Sequence, residues 1–205
     1  MSTEPIRIII GDDHPLVADA LHALLDAQPE FTVVAVTNAF ADLVTVALAQ
    51  EADVVILDLA GMHTSPWAML QRLQREVPRL KIVIYSSMID LAPELFEAGA
   101  VGYVVKQERS IELINAVRAV AAGSSFRSPH VEEYFARSTQ KHPFTPQEMV
   151  TLKLLAKDFD TEKTAEYMAI SQRGVQNNVS RMLRKKGFSQ RSQLISWYRR
   201  MYGSE

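Results

Sequence analysis

No cysteine occurs in the 205 residues. Disulfides, zinc–thiolate sites and thiol catalysis are therefore excluded, and the composition suits a reducing compartment. Long apolar runs are also missing, so no membrane span is expected. The opening MSTEPIRIII has no basic n-region, and its apolar stretch is too short for a signal peptide. A cytoplasmic protein with no membrane partner is expected. Acidic residues are missing from one region only. Between Glu166 and Glu205 there is neither Asp nor Glu, while Arg173, Arg181, Arg184, Lys185, Lys186, Arg191, Arg199 and Arg200 fall inside that window. The net charge of −2 conceals two opposite halves. Residues 1–123 hold 8 Lys/Arg against 16 Asp/Glu, a net of −8, and residues 124–205 hold 14 against 8, a net of +6. Opposite signs point to two domains with different partners, the second suited to a polyanion.

What is present in the first half is a regular alternation. Short Val/Ile-rich runs stand at 6–10, 31–36, 54–59, 81–85 and 102–105. They have the length and composition of buried parallel strands. Amphipathic segments lie between them; one of these, LVADALHALLDA, places Leu16, Val17, Ala20, Leu21, Leu24 and Leu25 on one face. Five strands alternating with five helices predict a doubly wound parallel α/β domain over residues 1–123. Residues 124–142, Ser-rich with prolines near each end, read as a linker with one short helix, and no strand signal follows it. Residues 143–205 read as all α. Thr145, Pro146 and Glu148 form a capping-box pattern, and a later helix starts at Ser171 and stops at Gly187.

In an open α/β sheet ligands sit beyond the carboxyl ends of the strands, at the switch in strand order. Strand 1 ends in Asp12 and Asp13, strand 3 at Asp58, strand 4 at Ser86 and strand 5 at Lys106. With order 2-1-3-4-5 the three carboxylates converge. Like charges that close require a cation, and an all-oxygen set suits Mg²⁺. Singly, each residue has a structural explanation, such as Asp13 capping a helix or Lys106 offsetting acids. Together they form a site.

The segments IIIGDDHP, VVILDL, IVIYSS and GAVGYVVK resemble the receiver domain of bacterial two-component response regulators, over about residues 5–123. The resemblance implies a CheY-like fold with Asp58 as phospho-acceptor. It implies Mg²⁺ held by Asp12, Asp13, Asp58 and the backbone carbonyl of Ala60. Ser86 and Lys106 would engage the phosphoryl group, and Tyr103 would be an aromatic switch. The chain departs from the family after Asp58. Gly61, Met62 and Pro66 stand where Met, Pro and Gly are usual, and the segment after Ser86 is short.

In the second half, SQRGVQNNVSRMLRKKGF has core spacing at Val175, Val179, Met182 and Leu183. Arg173, Gln176, Asn177, Ser180 and Arg184 fall on the opposite face, with Arg181 and Lys185 as further cations. Amides flanked by arginines can read bases and hold phosphates. Residues 143–202 resemble the LuxR-type helix-turn-helix domain of NarL/FixJ response regulators. The resemblance implies DNA recognition by the 171–186 helix and homodimer contacts by the last helix, where Leu194, Ile195, Tyr198 and Met201 offer an apolar seam. Gly174 and Gln176 replace the family's usual Thr and Lys, and Asn178 its His, which predicts few phosphate contacts at the helix start.

The expected function is a DNA-binding transcription regulator, not an enzyme, controlled by Mg²⁺-dependent phosphorylation of Asp58 from a sensor histidine kinase or a small phosphodonor. The alternative is a receiver that works without phosphate, as a dimerisation or ligand-sensing module. A phosphohydrolase would need a general base near Asp58, for which only His14 and His63 are available.

Overall fold

The computed structural model describes residues 4–59, 66–137 and 144–202, apart from the side chains of Asp90, Arg137 and Tyr202. The chain divides into two compact units, Met1–Thr139 and Gln140–Glu205.

The first unit is built on strands β1 (Ile6–Gly11), β2 (Phe31–Thr37), β3 (Val54–Leu57), β4 (Lys81–Ser86), β5 (Gly102–Val105) and β6 (Phe126–Arg127). All neighbours are parallel, in the order β2-β1-β3-β4-β5-β6. Helices α1 (Pro15–Asp26), α2 (Leu43–Ala49), α3 (Pro66–Glu76), α4 (Ala92–Glu97) and α5 (Ser110–Ala121) connect the strands, and α6 (Pro129–Arg137) follows β6. Strand residues alternate between the two faces of the sheet. Ile8, Ile10, Val54, Ile56, Val83 and Val104 pack in one core with Leu21 and Leu25 of α1 and with Leu113, Val117 and Val120 of α5. Ile9, Val55, Leu57, Ile82, Ile84 and Tyr103 alternate with them and are also fully buried. Both faces are therefore covered, which is why the strands read as unbroken apolar runs.

Three expectations are corrected. The sheet has six strands, not five. Residues 126–137 are not linker, because β6 pairs with β5 and α6 packs on β5 and β6. Ser128 N donates to Tyr103 O (3.0 Å), and Glu108 Oε1 accepts the His130 N–H (2.8 Å) at the start of α6. The Arg127 guanidinium lies 4.0 Å from the Phe135 ring centre and 5.2 Å from that of Phe96 in α4. A two-residue strand in a Ser-rich stretch carries no periodicity, so only its partner strand reveals it. On α1 the buried positions are Ala18, Leu21 and Leu25, while Ala20 is exposed and Leu16 is 85% exposed. A 3.6-residue period fits a broad stripe, and contact with β1 and β2 selects one edge of it.

The second unit comprises α7 (Pro146–Ala156), α8 (Thr161–Met168), α9 (Gln172–Lys186) and α10 (Arg191–Tyr202). The first three have side-chain caps at their starts. Thr145 and Glu148 form the reciprocal capping box on α7, Asp160 Oδ1 accepts from Lys163 N (2.7 Å), and Ser171 Oγ accepts from Gly174 N (3.1 Å). The turn between α8 and α9 passes through Ala169 at φ 49°, and Gly187 ends α9 at φ 69°. That is a helix-turn-helix followed by a closing helix. Phe144, Met149, Leu152, Met182, Leu194 and Tyr198 form its core.

Candidate functional site

The parallel ladder delivers the acids. Asp58 N donates to Gly11 O (2.8 Å) and Asp12 N to Thr37 O (3.2 Å), so each aspartate sits one step past the last strand pairing. Gly11 permits this close approach: a Cβ there would lie 2.9 Å from Leu57 Cδ2 and 3.3 Å from the Phe40 ring. Asp12 and Asp58 are each 2% exposed, and Ser86 1%. A pair of buried carboxylates is tolerable only if a cation compensates them. Lys106, from the end of β5, places its ammonium 2.7 Å from Asp58 Oδ2 and 3.1 Å from Asp12 Oδ2. Burial alone would push the Lys106 ammonium down, but the hydrogen bonds to Asp58 and Asp12 outweigh it and hold it above its usual value. Lys106 stays charged wherever the pocket is intact.

Ser86 Oγ accepts from Met88 N (3.2 Å), and the fully buried Tyr103 donates its hydroxyl to Met88 O (2.8 Å). Ser86 and Tyr103 thus meet on one residue, Met88, just after β4. Tyr103 also lies near Phe96 of α4, with 6.5 Å between ring centres.

One ligand atom from each of Asp12, Asp13, His14 and Asp58 lies within 4.8 Å of the others. Asp13 Oδ1 is buried and makes no hydrogen bond, although His14 Nδ1 is 2.7 Å away. An unsatisfied carboxylate oxygen among three acids is the donor set of a hard divalent cation. The expected Mg²⁺ site thus fits the residues present. In the sequence His14 stands out only as a candidate base. Ala60, Gly61, Met62 and His63 lie outside the described residues, whereas Pro66 is buried at the start of α3.

On α9, Arg173, Gln176, Asn177, Ser180, Arg181, Arg184 and Lys185 are all exposed, and Val175 and Met182 are buried. The structure separates two of these cations from the rest. Lys185 Nζ lies 2.6 Å from Glu148 Oε2, and Arg181 Nε lies 3.5 Å from Glu148 Oε1. Arg181 also donates to Asn178 Oδ1. Asn178 is buried and donates to Thr151 Oγ1 (2.9 Å). Glu148, legible in the sequence only as a capping residue, therefore also anchors α9 to α7. Lys186 lies over the Trp197 ring at 3.9 Å.

The apolar seam expected on α10 is corrected for two of its four residues. Leu194 is fully buried, Tyr198 is 8% exposed, and both belong to the unit's own core. Ile195 is half-buried and Met201 is 43% exposed. A helix that closes a small core must spend its most apolar stripe there. Leu194→Ala is accordingly expected to destabilise this unit by roughly 3 kcal/mol, read as a lower thermal midpoint. Met201→Ala leaves that midpoint in place.

A lysine-bridged acidic pocket at the carboxyl edge of a parallel sheet, followed by a helix-turn-helix, defines a receiver unit joined to a helix-turn-helix unit. The response regulator receiver domain family matches residues 8–118, and the luxR family of bacterial regulatory proteins matches residues 142–198. The chain belongs to the NarL/LuxR-type response regulators. It is similar to the transcriptional regulatory protein YxjL of Bacillus subtilis, 31% identical over 95% of each chain. It is also similar to the nitrate/nitrite response regulator protein NarP of Escherichia coli, 30% identical over 88% of each. A solved structure of the Salmonella typhimurium RcsB response regulator shares the fold, with a TM-score of 0.74 over 95% of this chain and 97% of that one, at 20% identity.

Proposed function

We propose that this chain is a transcription regulator whose DNA binding and self-association are set by phosphorylation of Asp58. One observation carries the reading. Lys106 bridges Asp58 and Asp12 in a buried pocket whose Ser86 is tied, through Met88, to Tyr103. In the reaction an Asp58 oxygen attacks the phosphorus of the donor. The bond from phosphorus to the leaving group breaks, that group departs with the electron pair, and an acyl phosphate results. Lys106 holds the Asp58 carboxylate in place, and then offsets the charge of the new phosphoryl group. Asp12, Asp13 and Asp58 would hold Mg²⁺, which supplies charge stabilisation to the transferring group when bound. The donor is a phosphohistidine of a sensor kinase or a small acyl phosphate.

Added negative charge draws Ser86 and Lys106 inward, which releases the Met88 contacts and repositions Tyr103 against Phe96. The face Arg173, Gln176, Asn177, Ser180 and Arg184 enters the major groove, and two copies of the chain bind two half-sites. The pocket has its full set of charged groups, which supports phosphorylation over a receiver that works without it. The reading places the protein in the cytoplasm, where its DNA target lies. Among the described residues no helix is long and apolar enough to cross a membrane.

Beryllofluoride with Mg²⁺ is expected to shift the chain towards a dimer and to tighten DNA binding at least tenfold, measured by sedimentation and by fluorescence anisotropy. No change in either would defeat the proposal. The salt dependence of DNA binding is expected to be shallow, because Gln176 is neutral and Glu148 engages Arg181 and Lys185. Gln176→Lys should steepen the logarithmic slope by about 1, one added phosphate contact.

A further inference from the structure

We propose that His14 is a direct ligand of the divalent cation in the acidic pocket, and that it gives the site a nitrogen donor which favours Ni²⁺-like ions over Mg²⁺. The inference rests on reading the pocket as a metal site. His14 is the residue before α1. Its own N–H donates to Asp12 Oδ1 (2.8 Å), which pins the backbone at the pocket's edge. Its Nδ1 then lies 2.7 Å from Asp13 Oδ1, 3.4 Å from Asp12 Oδ1 and 3.9 Å from Asp58 Oδ2. Two donors about 2.1 Å from one ion are about 3 Å apart when adjacent and about 4 Å apart when opposite. The 2.7 Å and 3.4 Å separations lie near the adjacent spacing and the 3.9 Å separation near the opposite one.

The Asp13 contact adds an independent reason. Its Oδ1 makes no hydrogen bond even with an imidazole nitrogen 2.7 Å away. The two atoms are close without the alignment of a hydrogen bond, which leaves the Asp13 oxygen able to bind a third atom. His14 is more than half exposed, at 58% of its side chain, so the ring has room to settle on an ion.

The chemical consequence concerns selectivity. Mg²⁺ prefers oxygen donors, whereas imidazole suits Ni²⁺ and Zn²⁺. Three carboxylates suffice for Mg²⁺, so removing the imidazole costs that ion little.

The test is calorimetric titration of the full chain with Ni²⁺ and with Mg²⁺, for wild type and His14→Ala. Only Ni²⁺ that Mg²⁺ displaces is counted, which removes binding at other histidines. The expected result is a loss of about tenfold or more in Ni²⁺ affinity, with Mg²⁺ affinity within about threefold of wild type. The visible absorption bands of bound Ni²⁺ should shift to lower energy as nitrogen is lost. Unchanged Ni²⁺ affinity and spectrum in His14→Ala, with Mg²⁺ still bound, would overturn the role of His14 alone. Failure of wild type to bind either ion would overturn it together with the metal reading of the pocket.

Discussion

Asp58→Asn is expected to eliminate phosphoryl incorporation from every donor, read as loss of the added mass in intact mass spectra and of the shifted band on phosphate-affinity gels. The carboxamide has nearly the same shape but no charge, and its oxygen is too weak a nucleophile to attack phosphorus. The fold survives the change. The amide oxygen can still accept from Lys106, and Lys106 keeps Asp12 at 3.1 Å. Stability therefore changes little while chemistry is lost entirely. Lys106→Ala makes the complementary case. It leaves Asp12 and Asp58, both nearly inaccessible, with no ammonium between them. That variant is expected to lose phosphorylation and also to unfold at lower temperature, because uncompensated buried charge is costly. Phosphate on Asp58→Asn would show that a different residue accepts it, and the reading of the pocket would fail.

Glu148→Ala is expected to abolish specific DNA binding by loosening the helix-turn-helix unit rather than by removing a DNA contact. Glu148 is 1% exposed. Its carboxylate accepts from Thr145 N (2.8 Å) and pairs with Lys185 and Arg181 of α9. Alanine removes half of the capping box and the tie between α7 and α9 together. The expected cost is roughly 3 kcal/mol, a large part of the stability of a unit this small. Circular dichroism melts of the chain should show the basic unit unfolding early while the receiver transition stays in place. Equal loss of both transitions would contradict the assignment.

Acidity reports on the same contact. Burial pushes the Glu148 carboxyl up, but hydrogen bonds from Lys185 and the Thr145 backbone and the Lys185 charge outweigh it and hold it below the ordinary value. A carboxyl depressed in the folded state contributes stability that is present above its unfolded value and is lost as pH falls through the folded one. The helix-turn-helix unit should therefore lose stability as pH drops below about 4.5. Glu148→Gln should flatten that dependence.

How far the sequence carries depends on whether a feature is periodic or pairwise. Strands β1 to β5 were legible because burial on both faces demands unbroken Val/Ile runs. The acids and Lys106 were legible because each follows such a run. Strand β6 was not, since two residues have no period and only hydrogen bonds to Gly102 and Tyr103 define them. The helices of the basic half were legible from caps: Thr145, Asp160, Ser171 and Gly187 stand where their local chemistry requires. Which apolar face of α10 closes the core was not, because Leu194 and Tyr198 look alike whether they meet Met182 or a second copy.

The residues alone therefore determined that this chain has an acidic α/β half and a basic helical half, and which carboxylate ends which strand. Tertiary structure decided what those side chains meet. It placed Lys106 between Asp58 and Asp12, turned His14 into the pocket, and committed Glu148 to Lys185 and Arg181. Local sequence encodes backbone conformation through propensity and period. Contacts between residues dozens of positions apart depend on register and packing direction, which exist only once the sheet and the helix-turn-helix have assembled.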